Sequence, residues 1–260
     1  MIDILSITGE PIFDDRIVKI ETHTYNPFAN TTFGYSEIRI PIQQQDLYTL
    51  PCESFLYVEG NLTQRKDFNF CVPLSMLLGF CGDYQRLIVN VCHELILIRA
   101  RNDNNCLVGN PVTESEIELF KVQWGMPHVT LNEINKLSML QTLESGRYLS
   151  MSFRSWDLYE YPLLQNTTKH SWAVKTATQL EKPRYVIFAL QTSRKNVMSQ
   201  NGSVFDDCNL SNVKLYLNLT FHPEFDCKEN VPSNTTAYCL IIHDRVVPYN
   251  PLTNVVRKIT

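Results

Sequence analysis

The sequence lacks the features that mark several large classes of protein. No apolar run approaches the roughly 20 residues that a membrane-spanning helix needs, and there is no P-loop, GxSxG motif or dinucleotide-binding fingerprint. The six histidines are scattered without an HxH or HxxxH spacing, which argues against a cupin-type metal site. We therefore expect no enzymatic activity, no cofactor, no metal site and no membrane insertion.

The start of the chain also lacks the features of a secretion signal. No basic residue precedes its first apolar residues, and Asp3 interrupts them. We therefore expect an intracellular location, cytoplasm or nucleus, in which cysteines stay as free thiols. None of the eight forms a CxxC pair that would indicate zinc. The cysteines are Cys52, Cys71, Cys81, Cys92, Cys106, Cys208, Cys227 and Cys239.

Seven Asn-x-Ser/Thr sequons would matter only in a secreted chain. They begin at Asn30, Asn61, Asn166, Asn201, Asn209, Asn218 and Asn234. Because no signal is visible and Asn and Thr are abundant, we interpret them as chance occurrences. The alternative, a secreted glycosylated β-sandwich binding module with disulfides, stays open.

The composition is that of a folded protein with a substantial core. The chain has 260 residues, 44% hydrophobic and 19% charged, which suffices for one large domain or two ordinary ones. Aromatic residues at 11% fit a β-rich core. The net charge of −4 gives no global attraction to nucleic acid.

Closely spaced strand patterns run from Tyr148 to Asn218. In the first of them apolar residues alternate with serines, as in a half-buried strand. Residues 184–190 are apolar on both faces, which predicts the central strand of a buried layer. Short strands separated by turn signals indicate an antiparallel β-sandwich or barrel. The side chains that we expect in its core are Trp156, Trp172, Phe188 and Leu215.

The first half of the chain contains similar strand patterns and ends in a predicted helix. The predicted strands cover residues 18–24, 38–42, 54–59, 86–99 and 116–124. Thr130 and Glu133 have the spacing of a capping box, apolar residues recur every third position from Ile134 to Leu143, and Gly146 can end the helix. We predict a helix over 131–145 that joins two β units; an amphipathic core helix without a special role is equally compatible.

Several segments resemble one known family. FRSWDLYEYPLL (153–164), KHSWAVKTATQLEKPRYVIFALQTSRKN (169–196) and CNLSNVKLYLN (208–218) resemble the double jelly roll-like proteins, as do residues 35–60, 68–90, 94–105 and 122–129. That family is related to viral major capsid proteins and occurs in endogenous virus-like elements of invertebrate genomes. The resemblance implies two jelly roll sandwiches standing side by side, pseudo-hexagonal trimers that tile a capsid, and a virion location when assembly occurs.

The resemblance also implies that the first unit is incomplete. Only residues 61–67 separate two segments between which the family has further strands. We expect the remaining strands, 38–42 and 55–58, to join 86–99 and 117–124 in one smaller sheet of a unit with five or six strands. The predicted organisation is a shortened first jelly roll unit (12–130), a connecting helix (131–146), a second jelly roll-like unit (147–225) and a divergent C-terminal segment (226–260), because the resemblance fades beyond Leu219.

Three groups of residues have side chains that could carry chemistry. Cys92 and His93 are adjacent and therefore point to opposite faces of a strand, which argues against a catalytic pair. Two acidic pairs, 14–15 and 206–207, are interpreted as solvated turn residues. Between Lys169 and Lys195 six basic residues stand against one acid. We interpret this segment as a solvated face, with contacts to packaged nucleic acid as the alternative.

The function that we predict is therefore structural. The chain is expected to be a virus-derived, capsid-like protein that is not enzymatic, has no catalytic, cofactor-binding or metal-binding residues, and acts by self-association or is degenerate. A rival from another class is a hydrolase or metal oxygenase on a sandwich scaffold, which requires a buried cluster of histidine and carboxylate side chains.

Overall fold

Antiparallel strands make up most of the computed structural model, which describes residues 16–28, 33, 37–42, 48–62, 67–109, 116–146, 148–174, 183–217, 221–253 and 255–256. The predicted all-β fold of antiparallel sandwiches is confirmed. The strands are interrupted by helices α1 (Gly79–Asp83) and α2 (Glu133–Glu144) and by two 3-10 turns (Pro51–Glu53 and Leu74–Met76). No described helix has both the length and the apolar character needed to cross a membrane.

The first unit is a sandwich of one large and one small sheet. Its strands are β1 (Ile17–Tyr25), β2 (Glu37–Pro41), β3 (Tyr48–Thr49), β4 (Phe55–Leu62), β5 (Asp67–Pro73), β6 (Glu94–Ile98) and β7 (Ile117–Leu131). The large sheet has the order β1-β7-β4-β5, with β3 also paired to β7, and the small sheet is β2-β6. Alternation brings Ile38, Ile40 and Leu95 of the small sheet against Val122 and Trp124 of the large one, and all five are buried.

The chain between residues 61 and 67 connects a hairpin of β4 and β5, in which Asn61 lies opposite Asp67. The expected pairings of 38–42 and 55–58 are present, with β6 and β7 respectively. They lie in two sheets, whereas one was expected, and the described residues form seven strands instead of five or six. The loss of strands relative to the family stays a prediction.

The second unit packs two further sheets face to face. Its strands are β8 (Leu149–Tyr161), β9 (Lys169–Ser171), β10 (Pro183–Thr192), β11 (Leu210–Leu217), β12 (Phe221–Cys227), β13 (Thr235–Asn250) and the short β14 (Val255–Val256). One sheet contains β8, β13 and β10, with β14 beside the end of β13, and the other has the order β11-β12-β9. Phe221 and Phe225 of β12 are fully buried against Ala237 and Ile241 of β13.

The central strand of this unit is β13, which corrects two predictions. β13 pairs with β8 on one side and β10 on the other. Among the described residues, β10 pairs only with β13, apart from an isolated bridge between Leu190 and Asp206, so 184–190 is not the central strand. The second unit also extends beyond the predicted end at 225, because the segment 226–260 contains the strand that pairs with both β8 and β10.

Three of the four side chains expected in the second core are found there. Trp172 is buried, and Phe188 and Leu215 pack half-buried against the same cluster. Trp156 is 40% exposed, which contradicts the prediction. The reason is the phase of β8, in which the odd-numbered residues turn toward the core and the even-numbered ones turn outward.

The connecting helix exists but begins later than predicted. β7 continues through Leu131, and the N-cap is Asn132, whose side chain accepts a hydrogen bond from the backbone N–H of Asn135. Thr130 therefore caps nothing, and the predicted capping box is wrong. Gly146 does end the helix, with a φ of +72° that favours glycine. The helix packs through Met139 and Leu143.

The two units are joined by a packed interface centred on α1. Tyr84 and Ile88 of the first unit form one buried cluster with Met151 and Tyr249 of the second. Phe80 packs edge-on against Phe153, with ring centroids 5.0 Å apart. These contacts bury large aromatic side chains from both units, which stabilises their relative position.

An ion pair and a glycine complete this interface. The Asp83 carboxylate accepts hydrogen bonds from the backbone N–H, Nε and Nη2 of Arg154 at 2.9, 2.8 and 2.6 Å. These bonds hold the pKa of Asp83 below its usual range. A Cβ on Gly79 would lie 2.1 Å from the carbonyl oxygen of Arg154, so only glycine allows α1 to approach β8 this closely.

Candidate functional site

Three histidines that are far apart in the sequence meet inside the first unit. The rings of His23 and His128 lie 4.7 Å apart, and His128 Nε2 lies 2.7 Å from the Tyr25 hydroxyl. His93 Nε2 lies 3.0 Å from Thr49 Oγ1. Burial, followed by the charge of a neighbouring histidine, lowers the pKa of His93 and of His128 to about 4. Both imidazoles are therefore neutral at pH 7.

The surroundings of His93 bear on the Cys92–His93 pair. Cys92 is exposed, whereas the His93 ring turns inward toward Trp124. The two side chains point apart, as expected for neighbours in extended chain. The geometry therefore places no thiol beside His93 to be activated. Among the described residues, no three His, Cys, Asp or Glu side chains group as metal ligands.

A serine, a histidine and an aspartate lie together in the second unit, which the sequence analysis missed. His243 is buried on β13 directly opposite Ser155 of β8, and its Nε2 lies 3.3 Å from Asp157 Oδ2. The residue types match a hydrolase triad. However, the buried Ser155 hydroxyl makes no hydrogen bond to the imidazole. This arrangement therefore lacks the serine–histidine hydrogen bond that activates the nucleophile in a hydrolase triad.

Asp206, the first residue of the acidic pair at 206–207, forms hydrogen bonds that stabilise the fold. Asp206 accepts hydrogen bonds from the backbone N–H of Thr192 and from Arg194 Nη2, both at 2.8 Å. The bond from Arg194 is the main reason that the pKa of Asp206 is lowered. Asp206 is therefore a structural anchor beside β10 and not the solvated turn residue that we expected. The pair at 14–15 lies outside the described residues.

Most of the described basic residues between 169 and 195 already have acidic partners. Arg184 bonds Asp244 at 3.1 Å, and Lys195 forms an ion pair with Glu160. Arg194 bonds Asp206, as described above. Lys175 and Lys182 lie outside the described residues. Because these pairs neutralise their charge, Arg184, Arg194 and Lys195 offer little attraction to phosphates.

The most distinctive surface is an apolar patch on the outer face of the β8-β13-β10 sheet, here called the outer patch. It consists of two cross-strand rows of three large side chains. One row is Trp156, Ile242 and Tyr185, and the other is Leu158, Leu240 and Ile187. The four residues on β8 and β10 are 40–57% exposed, and the two on β13 are half-buried.

Paired charges border the outer patch at both ends of the strands. At one end Arg154 lies opposite Asp244, which also binds Arg184. At the other end Glu160 pairs with Lys195. Each of these described charges is balanced by a partner within the chain. Contiguous apolar surface with a polar rim is typical of a protein interaction site.

The fold described above has a match among protein families. The model of the double jelly roll-like domain matches residues 52–224 and, in a second segment, 222–247. The chain belongs to the double jelly roll-like domain family. The second segment covers most of β13, so the resemblance continues well beyond Leu219, where it was expected to fade.

A solved structure supports the same fold. A chain in the 3.5 Å cryo-EM structure of the Sputnik virophage aligns over 97% of this chain and 90% of its own length, with a TM-score of 0.51 and 8% identity. At that identity the likeness concerns the fold alone. No curated protein matches this chain. The double jelly roll-like fold is thus established for nearly the whole chain, while its function rests on surfaces and chemistry.

Proposed function

We propose that this double jelly roll-like protein is a capsid-like structural protein that acts by self-association and performs no catalysis. The observation that carries the proposal is the junction between the units. There α1 joins the two sandwiches through the Asp83–Arg154 ion pair and the buried aromatic cluster. A shell subunit needs such a rigid body, because its contacts with neighbouring copies must keep a fixed geometry. Family membership supports the same role.

The absence of catalysis is supported by the state of the best candidate groups. The Ser155 hydroxyl is not bonded to His243, and the exposed Cys92 thiol points away from the His93 ring. We propose that the protein works within the cell, or in a particle if it assembles. Viral ancestry fits the family, and the endogenous, invertebrate origin implied by the sequence resemblance stays a prediction.

Sedimentation velocity across a hundredfold range of protein concentration tests the proposal. We expect a concentration-dependent shift from monomer to discrete larger species, among them the trimer that the resemblance implies. A single monomeric species at every concentration and salt condition would contradict it.

Intact mass with and without reductant tests the secreted alternative, which requires glycans on the sequons and mass differences from disulfides.

A further inference from the structure

We infer that the outer patch is the surface through which two copies of this chain bind each other, patch against patch, about a two-fold axis. The inference rests on the proposed function and adds the contact surface, its residues and its symmetry. The first reason is the chemistry of the surface. Six large apolar side chains are grouped on one flat sheet face, and the four outermost are about half exposed. Such a patch is costly to leave in water.

The second reason is the charge of the rim, which selects the kind of partner. Arg154 forms an ion pair with Asp83, and Arg184 forms one with Asp244. Lys195 forms an ion pair with Glu160. Because these described cations are paired within the chain, they offer little attraction to phosphates or anionic lipid headgroups. An identical copy suits the surface, because two such rims bring no excess of like charge together.

The third reason is shape. The row of Trp156, Ile242 and Tyr185 carries two aromatic rings, whereas the row of Leu158, Leu240 and Ile187 is aliphatic. A two-fold axis between the rows places the aromatic row of one copy over the aliphatic row of the other. Large side chains then face smaller ones, which is how packed layers interdigitate. Face-to-face sheets pack about 10 Å apart in this way.

The composition of the surface is that of a stable contact. Stable interfaces have an apolar core and a polar rim. Here the two rows supply the core, including a Trp and a Tyr of the kind that dominates binding energy. The ion pairs at the ends of the strands supply part of the rim.

The two-fold arrangement brings particular side chains of the two copies opposite each other. Trp156 of one copy faces Leu158 of the other, and this contact occurs twice across the axis. Leu158→Lys and Trp156→Glu should each bury an unpaired charge twice, raising the dissociation constant at least ~100-fold. An equimolar mixture of the two variants should recover affinity to within about tenfold of wild type, because Lys then faces Glu and the second contact is native.

Sedimentation velocity and mass photometry on the full chain measure these outcomes. Ile98→Lys is the matched control, since Ile98 is 79% exposed on β6 of the first unit, and it should leave association unchanged. Circular dichroism verifies folding, and Ile187→Lys replaces any variant that fails to fold.

Association of Leu158→Lys equal to that of the control overturns the inference but leaves the proposed function standing. Disruption by both variants without rescue in the mixture overturns the patch-to-patch arrangement. A monomeric wild type overturns the proposed function itself.

Discussion

Replacing Gly79 with Ala should weaken the junction that makes the two sandwiches one body. The added methyl group would lie 2.1 Å from the carbonyl oxygen of Arg154 and 2.9 Å from its carbonyl carbon. Neither atom belongs to a flexible side chain, so α1 must move away from β8. That movement also lengthens the hydrogen bonds between Asp83 and Arg154.

The size of the effect follows from two opposing contributions. Forcing an extra methyl group into a packed site costs about 1–3 kcal/mol, with a backbone clash near the upper end. Replacing Gly with Ala in a helix stabilises the helix by at most about 1 kcal/mol. We therefore expect the free energy of unfolding to fall by about 1–2 kcal/mol. The matched control is Gly109→Ala, whose Cβ would meet no atom within 4 Å and should change stability little.

Urea denaturation of wild type and both variants, at one protein concentration, measures the difference. A loss of cooperativity between the units is expected to accompany the lower stability of Gly79→Ala. If Gly79→Ala proves as stable as Gly109→Ala, then α1 does not pack tightly against β8. The argument that a rigid junction carries the structural role would then fail.

Four further outcomes are expected. Phe225→Ala should lower the free energy of unfolding by about 3–5 kcal/mol, because Phe225 is 1% exposed and its ring lies 4.9 Å from that of Phe188; a Tm equal to that of wild type would contradict its burial. Burial lowers the pKa of His93 and His128 to about 4 from 6.5, so the unfolded chain binds more protons between those values. Urea titrations should therefore show stability falling as pH drops from 7 to 4, and a flat profile would refute this. Thiol titration of denatured, unreduced protein should approach eight equivalents, whereas close to none would favour the secreted alternative. Hydrogen exchange should be less protected in 17–60 than in 184–218, and equal strong protection in a monomer would argue that no strands were lost.

The strands could be predicted because alternation is a local signal, but their places in the sheets could not. Tyr185 and Ile187 made β10 apolar on both faces, which a single sequence cannot distinguish from burial in a central strand. Here one face of β10 packs on the core and the other contributes to the outer patch. An outward apolar face has the same sequence pattern as a buried one. Trp156 was misplaced for the same reason.

The groupings of polar residues depend on strand register, which the sequence does not display. Ser155 and His243 are directly opposite because β8 and β13 pair in one particular register. His23 and His128 meet through the pairing of β1 with β7. No spacing in the sequence indicates either cluster, since the residues are far apart along the chain. Cys92 and His93 are adjacent in the sequence, yet the extended chain turns their side chains apart, as the sequence analysis expected.

Negative-stain electron microscopy of the purified protein tests the central claim most directly, because it shows whether copies of this two-sandwich body assemble. The account predicts discrete multi-subunit particles with repeated lobes of sandwich size for the wild type and for Ile98→Lys. Fields that contain only single two-lobed molecules, at concentrations where the protein is folded and homogeneous, would contradict a capsid-like structural role.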